Sequence, residues 1–137
     1  MGHARPNAEF IPVNIAIMTV SDSRTKENDT SGKALVDRLT AAGHNLADRQ
    51  IVKDDRYSIR AVLSAWIAEP DVQAVITTGG TGLTGRDITP EAVAPLFDKE
   101  IDGFGEMFRW VSWQDIKTST IQSRAIAGLA NGTAIFC

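Results

Sequence analysis

The chain has 137 residues, 43% of them hydrophobic and 23% charged, and 14 Lys+Arg against 17 Asp+Glu leave a formal net charge of -3. That balance describes one ordinary globular domain, residues 1–137, with a core that needs no staples, and it excludes fibrous and disordered classes. No apolar run approaches the roughly 20 residues of a membrane span, no basic run interleaves with aromatics as nucleic-acid binding demands, and residues 1–7 carry no apolar signal segment, so a cytoplasmic location is expected.

Residues 13–20 are rich in β-branched side chains and run into a polar stretch at 21–30, which predicts a buried strand feeding a loop. A helix follows, capped by Thr30 or Ser31, with Ala34, Leu35, Leu39 and Ala42 on its apolar face and Gly43 past its end. Residues 50–52 predict a short second strand, closed by Asp54 and Asp55. Ser58 then caps a helix in which Ile59, Val62, Leu63, Trp66 and Ile67 recur at helical spacing as far as Pro70, so Trp66 belongs to the core. Residues 72–78 form an almost continuously apolar strand that runs straight into Gly79-Gly80-Thr81-Gly82.

Thr89-Pro90-Glu91 has the order of cap, first-turn proline and first-turn acid, so another helix opens there, to kink or restart around Pro95. Residues 104–113 predict a helix whose Phe104, Phe108, Trp110 and Trp113 cannot all face one way, leaving an aromatic surface for another subunit. Ser119-Thr-Ile-Gln122 has the form of a capping box, which predicts a last helix to Leu129 ended by Asn131-Gly132. Residues 133–137 complete the series as a strand, in which the single cysteine, Cys137, serves as a small apolar residue.

This alternation implies a three-layer α/β/α sandwich around a mainly parallel central sheet. Ligands of such sheets sit beyond the carboxyl ends of the strands. Three strands here lead into segments with chemistry: Ser21-Asp22, Asp54-Asp55, and the glycine loop with Asp87.

Residues 80–85 match the spacing G-x-G-x-x-G, but a dinucleotide site needs its third glycine inside an opening helix and an acid ending a strand some 20 residues on, and neither context is present. No Gly-Lys-Ser/Thr follows, which excludes the phosphate loop of nucleoside triphosphatases. What remains is the general use of clustered glycines: backbone N–H groups turned inward around an anion, phosphate above all. Asp87 just beyond would repel that phosphate unless a cation lay between, and magnesium, held by one or two carboxylates plus phosphate oxygens, suits Asp87 with Asp54 or Asp55.

Three stretches, 76–92 with its Gly-Gly-Thr-Gly-Leu-Thr-Gly-Arg-Asp-Ile-Thr-Pro-Glu motif, 97–106 and 118–124, resemble the molybdenum cofactor biosynthesis proteins of the MoaB/MogA type. The resemblance runs from Asn14 to Cys137. It implies an α/β/α domain that binds molybdopterin, assembles as homotrimers or homohexamers, and in active members adenylylates molybdopterin with Mg-ATP before molybdate is inserted. Carried over by motif, Asp54 and Asp87 match functional acids that hold or orient Mg2+. Gly79, Gly80, Thr81 and Gly82 match the anion loop, and Ser21 and Asp22 the loop after the first strand. Arg86 is expected at a surface or subunit interface rather than on phosphate. Family members continue past the strand at 133–137 into a Pro-Gly-Ser-type loop and a further helix, so the chain is expected to be short at that end. A molybdopterin carrier that uses no ATP is the alternative the resemblance leaves open.

Overall fold

The computed structural model describes residues 8–137; the stretch 1–7, in which the sequence offers no secretory signal, lies outside them. Strand β1 (Asn14–Val20) alternates between two apolar layers, with Ala16, Met18 and Val20 in one cluster and Ile15 and Ile17 in the other. That pattern belongs to a strand covered on both faces. Parallel neighbours flank it: β2 (Asn45–Val52) on one side and β3 (Ala74–Thr78) on the other. The sheet continues through β4 (Lys99–Glu100), β5 (Ala127–Ala130) and β6 (Thr133–Phe136) in the order β2-β1-β3-β6-β5-β4. β6 is parallel to β3, whereas β5 runs antiparallel to both β6 and β4.

Helices cover both faces. α2 (Arg56–Ala68) buries Ile59, Leu63 and Trp66 on the face that also receives Ala92 and Val93 of α3 (Thr89–Val93). α1 (Thr30–Ala41) covers the opposite face with Leu35, Val36 and Leu39. α4 (Gly103–Ile116) reaches that same face through Phe104, whose ring lies 5.3 Å from that of Phe136. The three-layer α/β/α architecture is therefore as expected from the alternation of elements. Among the described residues no helix is long and apolar enough to cross a membrane.

Three predicted caps move upstream, the third from Thr89 to Ile88, which caps α3 without a side-chain bond. Asp29, not Thr30 or Ser31, caps α1: its Oδ1 accepts from Gly32 N at 3.0 Å. The same buried carboxylate accepts from Thr19 Oγ1 at 2.7 Å and Arg49 Nη2 at 3.1 Å, so the cap also braces β1 against β2. Burial alone would raise its pKa, but these three donors hold it below the ordinary aspartate range. Asp55, not Ser58, caps α2, and Ser58 supplies the N–H that the cap receives, at 2.7 Å. Pro95 ends α3 as anticipated, through a 3-10 turn, Ala94–Leu96.

The last predicted helix is absent. Residues 117–122 make only a 3-10 turn, and 127–130 are strand β5. Asn131 and Gly132, at φ 49° and 79°, form a two-residue hairpin turn to β6 rather than a helix end. Small residues in β5 have a packing reason: a Cβ on Gly128 would lie 2.4 Å from the Phe97 ring, which takes that space.

Candidate anion and metal site

β3 ends at the glycine loop, where Gly79 and Gly80 have φ of +97° and +72°. A Cβ on Gly79 would stand 2.3 Å from Val20 O, and one on Gly80 would stand 2.1 Å from Thr89 Oγ1. The turn is locked from α3: Thr89 Oγ1 donates to Gly79 O at 3.0 Å and Thr89 N to Gly80 O at 3.0 Å. Among the described residues, the N–H groups of Gly80 and Thr81 donate to no backbone acceptor outside regular ladders. Only Gly79 and Gly80 need left-handed backbone. Gly82 is small for a different reason, because the Asp87 carboxylate would lie 2.7 Å from a Cβ there, and its own N–H is turned toward that carboxylate. Gly85 has open space around it.

The predicted acids gather beside this loop from three strand ends. Asp22 Oδ1 accepts from Asp54 N at 3.0 Å, tying the loop after β1 to the loop after β2. Asp22 Oδ2 accepts from Arg86 Nε at 3.1 Å and from Nη2, which brings the glycine loop into the same cluster. Its bond to Arg86, and then that to the Asp54 backbone, lower the Asp22 pKa. Asp54 shifts the other way: burial first, then the Asp22 carboxylate, raise its pKa, and Asp87 adds to the repulsion while Arg86 opposes it. Asp87 Oδ2 accepts from Thr84 Oγ1 at 2.7 Å and Thr84 N at 3.0 Å, and these bonds hold its pKa down.

Ser21 and Asp22, expected in the substrate site, both make contacts within the protein. The Ser21 hydroxyl accepts from Ser23 N at 3.2 Å and Arg24 N at 3.1 Å, which shapes its own loop. Asp22 organises Asp54 and Arg86. Thr81, with Thr78 and Gly79, faces a hollow of about 390 Å³ walled by Phe104, Phe108 and Phe136. Cys137 lies in the same wall; burial pushes its thiol up to about 11, so it stays an uncharged apolar group at neutral pH.

Arg124 is the site residue that spacing alone does not reveal. Its Nε donates to Gly82 O and its Nη2 to Asp87 O, both at 2.7 Å, and Nη1 pairs with Glu91. It ends the stretch 118–124 that carries part of the resemblance, but it sits 42 and 37 positions from the two carbonyls it holds, so spacing does not tie it to the glycine loop.

These features define an α/β/α domain with a glycine loop and neighbouring acids at the carboxyl ends of its parallel strands. The protein family described as "Probable molybdopterin binding domain" matches residues 16–137, and the chain belongs to that family. It is 59% identical over 130 residues to Molybdenum cofactor biosynthesis protein B of Escherichia coli (strain K12), covering 95% of this chain and 76% of that protein. A crystal structure of a Molybdenum cofactor biosynthesis protein B superposes with a TM-score of 0.88 at 46% identity, over 92% of this chain and 79% of the other. The tungsten cofactor synthesizing protein MoaB from Pyrococcus furiosus gives 0.82 at 36% identity, over 91% and 80%.

Proposed function

We propose that the chain serves molybdenum cofactor biosynthesis by binding molybdopterin through its phosphate on the loop 79–82 and adenylylating it with ATP and magnesium. The observation that carries this reading is that, among the described residues, the N–H groups of Gly80 and Thr81 donate to no backbone acceptor outside regular ladders, close to Asp54, whose carboxylate feels the charges of Asp22 and Asp87. The names of its relatives support the pathway, and the family description supports the ligand.

Magnesium fits the residues present. Asp54 is disfavoured as an anion by burial and by the neighbouring Asp22 and Asp87 carboxylates, a condition that a divalent cation relieves. Among the described residues no cluster of three acidic, cysteine or histidine ligands is assembled, and magnesium bound mainly through water and substrate phosphates requires none. Asp54 and Asp87 would hold it, and when bound it supplies charge neutralisation on phosphoryl oxygens.

In the reaction, a phosphate oxygen of molybdopterin attacks the α-phosphorus of ATP; the new P–O bond forms as the bond to pyrophosphate breaks. The nucleophile is already ionised near neutral pH, so no general base is needed. The protein's own part is to orient the phosphate on the loop amides and to place charge where it develops. One observation favours the carrier alternative: Asp87 Oδ2 is engaged by Thr84 of its own loop, as a purely shape-giving residue would be.

Incubating the chain with molybdopterin and Mg-ATP should give adenylylated molybdopterin, detected by mass spectrometry and dependent on magnesium. Molybdopterin retained through gel filtration without product would support the carrier. Retention of neither would overturn both. The chain is also proposed to self-associate through α4, where Trp110 is 67% exposed and Met107 59% exposed. Light scattering should then give a mass of three or six chains, and a strict monomer would contradict it.

A further inference from the structure

We infer that Arg124 is a positioning residue whose guanidinium fixes the glycine loop in its ligand-ready shape; the effect on binding rests on the function proposed above. One planar fork reaches three places: Gly82 O within the loop, Asp87 O at its far end, and the Glu91 carboxylate in the first turn of α3. The segment 82–87 is thus held at both ends by a single side chain. Within it the bonds are local, from Thr84 N and Thr84 Oγ1 to Asp87 Oδ2 and from Asp87 N to Thr84 O.

Arg124 is itself held. It is only 28% exposed, and the carbonyl of the preceding Ser123 accepts from Arg109 Nη1 of α4 at 3.3 Å. Arg60 of α2 donates to Ala92 O at 2.8 Å and Glu91 O at 3.2 Å. Glu91 is therefore set by its backbone from α2 and by its carboxylate from Arg124. Pairing with Arg124 lowers the Glu91 pKa, which keeps the partner charged across the neutral range. A lysine at 124 presents one point charge on a flexible stem and cannot satisfy two carbonyls and a carboxylate in a fixed plane.

The test compares Arg124→Met, Arg124→Lys and Glu91→Gln with the wild-type chain. Amide hydrogen exchange of the ligand-free protein is read at Thr84, Asp87 and Thr89, whose N–H groups are bonded within or against the loop, and at Ile17 in β1 as reference. Arg124→Met should speed exchange at those three amides on the order of tenfold or more, from the loss of charged hydrogen bonds, and leave Ile17 unchanged. Molybdopterin affinity should fall by a similar factor, with lysine restoring little of either. Glu91→Gln, which keeps both carbonyl bonds, should produce a smaller change in the same direction and keeps the clamp testable if Arg124→Met does not fold. Unchanged loop exchange in Arg124→Met, or full rescue by lysine, would overturn the clamp. A wild-type chain that retains no molybdopterin would overturn the proposed function instead, and the exchange rates would still decide the clamp.

Discussion

Replacing Gly79 by alanine is expected to abolish phosphate binding and to lower the thermal midpoint by about 10 °C, the effect of roughly 3 kcal/mol in a chain of this size. Two terms combine. At φ +97° an L side chain is strained, and the added methyl would stand 2.3 Å from the carbonyl oxygen of Val20. That oxygen belongs to the last residue of β1, a strand paired on both sides, so it has no freedom to retreat. Either the loop pulls away from the sheet end or β1 deforms, and both move the N–H donors. Gly85→Ala is the matched control, because a methyl group there would meet no heavy atom within 4 Å and no positive φ is involved. Thermal unfolding by circular dichroism and titration with inorganic phosphate read both effects. Equal midpoints for the two variants would sink the argument.

Asp54→Asn should reduce adenylyl transfer on the order of a hundredfold or more, since it removes one carboxylate proposed to hold the cation that neutralises the transferring group. Its effect on folding has the opposite sign. The unfolded chain releases this proton near the ordinary value of 3.8, whereas burial and the Asp22 carboxylate keep it on the folded protein to a higher pH. Folding therefore favours the protonated form, and a stability penalty grows as pH rises through that interval and is fully present at neutrality. The asparagine variant should be as stable as the wild type at pH 7 or more so, and the two should converge near pH 3. Lost activity together with lost stability at pH 7 would assign Asp54 to structure alone.

The central sheet is legible in the sequence because β1 and β3 are covered on both faces and so carry continuous apolar runs, with the glycine loop marking where β3 stops. The acids are legible for the same reason, since each follows a strand end. β2 reads short, at 50–52 instead of Asn45–Val52, because it is an edge strand whose Asn45, Asp48 and Arg49 break the apolar pattern. β5 reads as helix because Ser119 to Gln122 imitates a capping box, although no apolar periodicity follows it. Asn131-Gly132 carries the right signal, a hairpin, which the supposed helix masks. The contact Arg124 makes is invisible for another reason: two of its three partners are carbonyl oxygens, which every residue has, so nothing in residue type records it.

The position of β6 between β3 and β5 bears on how the protein emerges from a ribosome. Asn14 pairs with Asn45 and Ile15 with Ala74, so β1, β2 and β3 can assemble from the first part of the chain. The other side of β3 waits for a strand whose Ala134 lies opposite Ala74. Synthesis from Thr78 to Thr133 takes about 3–10 s at ordinary elongation rates. For that interval β3 is an open, apolar edge able to pair with a neighbouring nascent chain. The hairpin then closes in microseconds and delivers β6 with β5 already attached, so the hazard ends in one docking event rather than by gradual zipping.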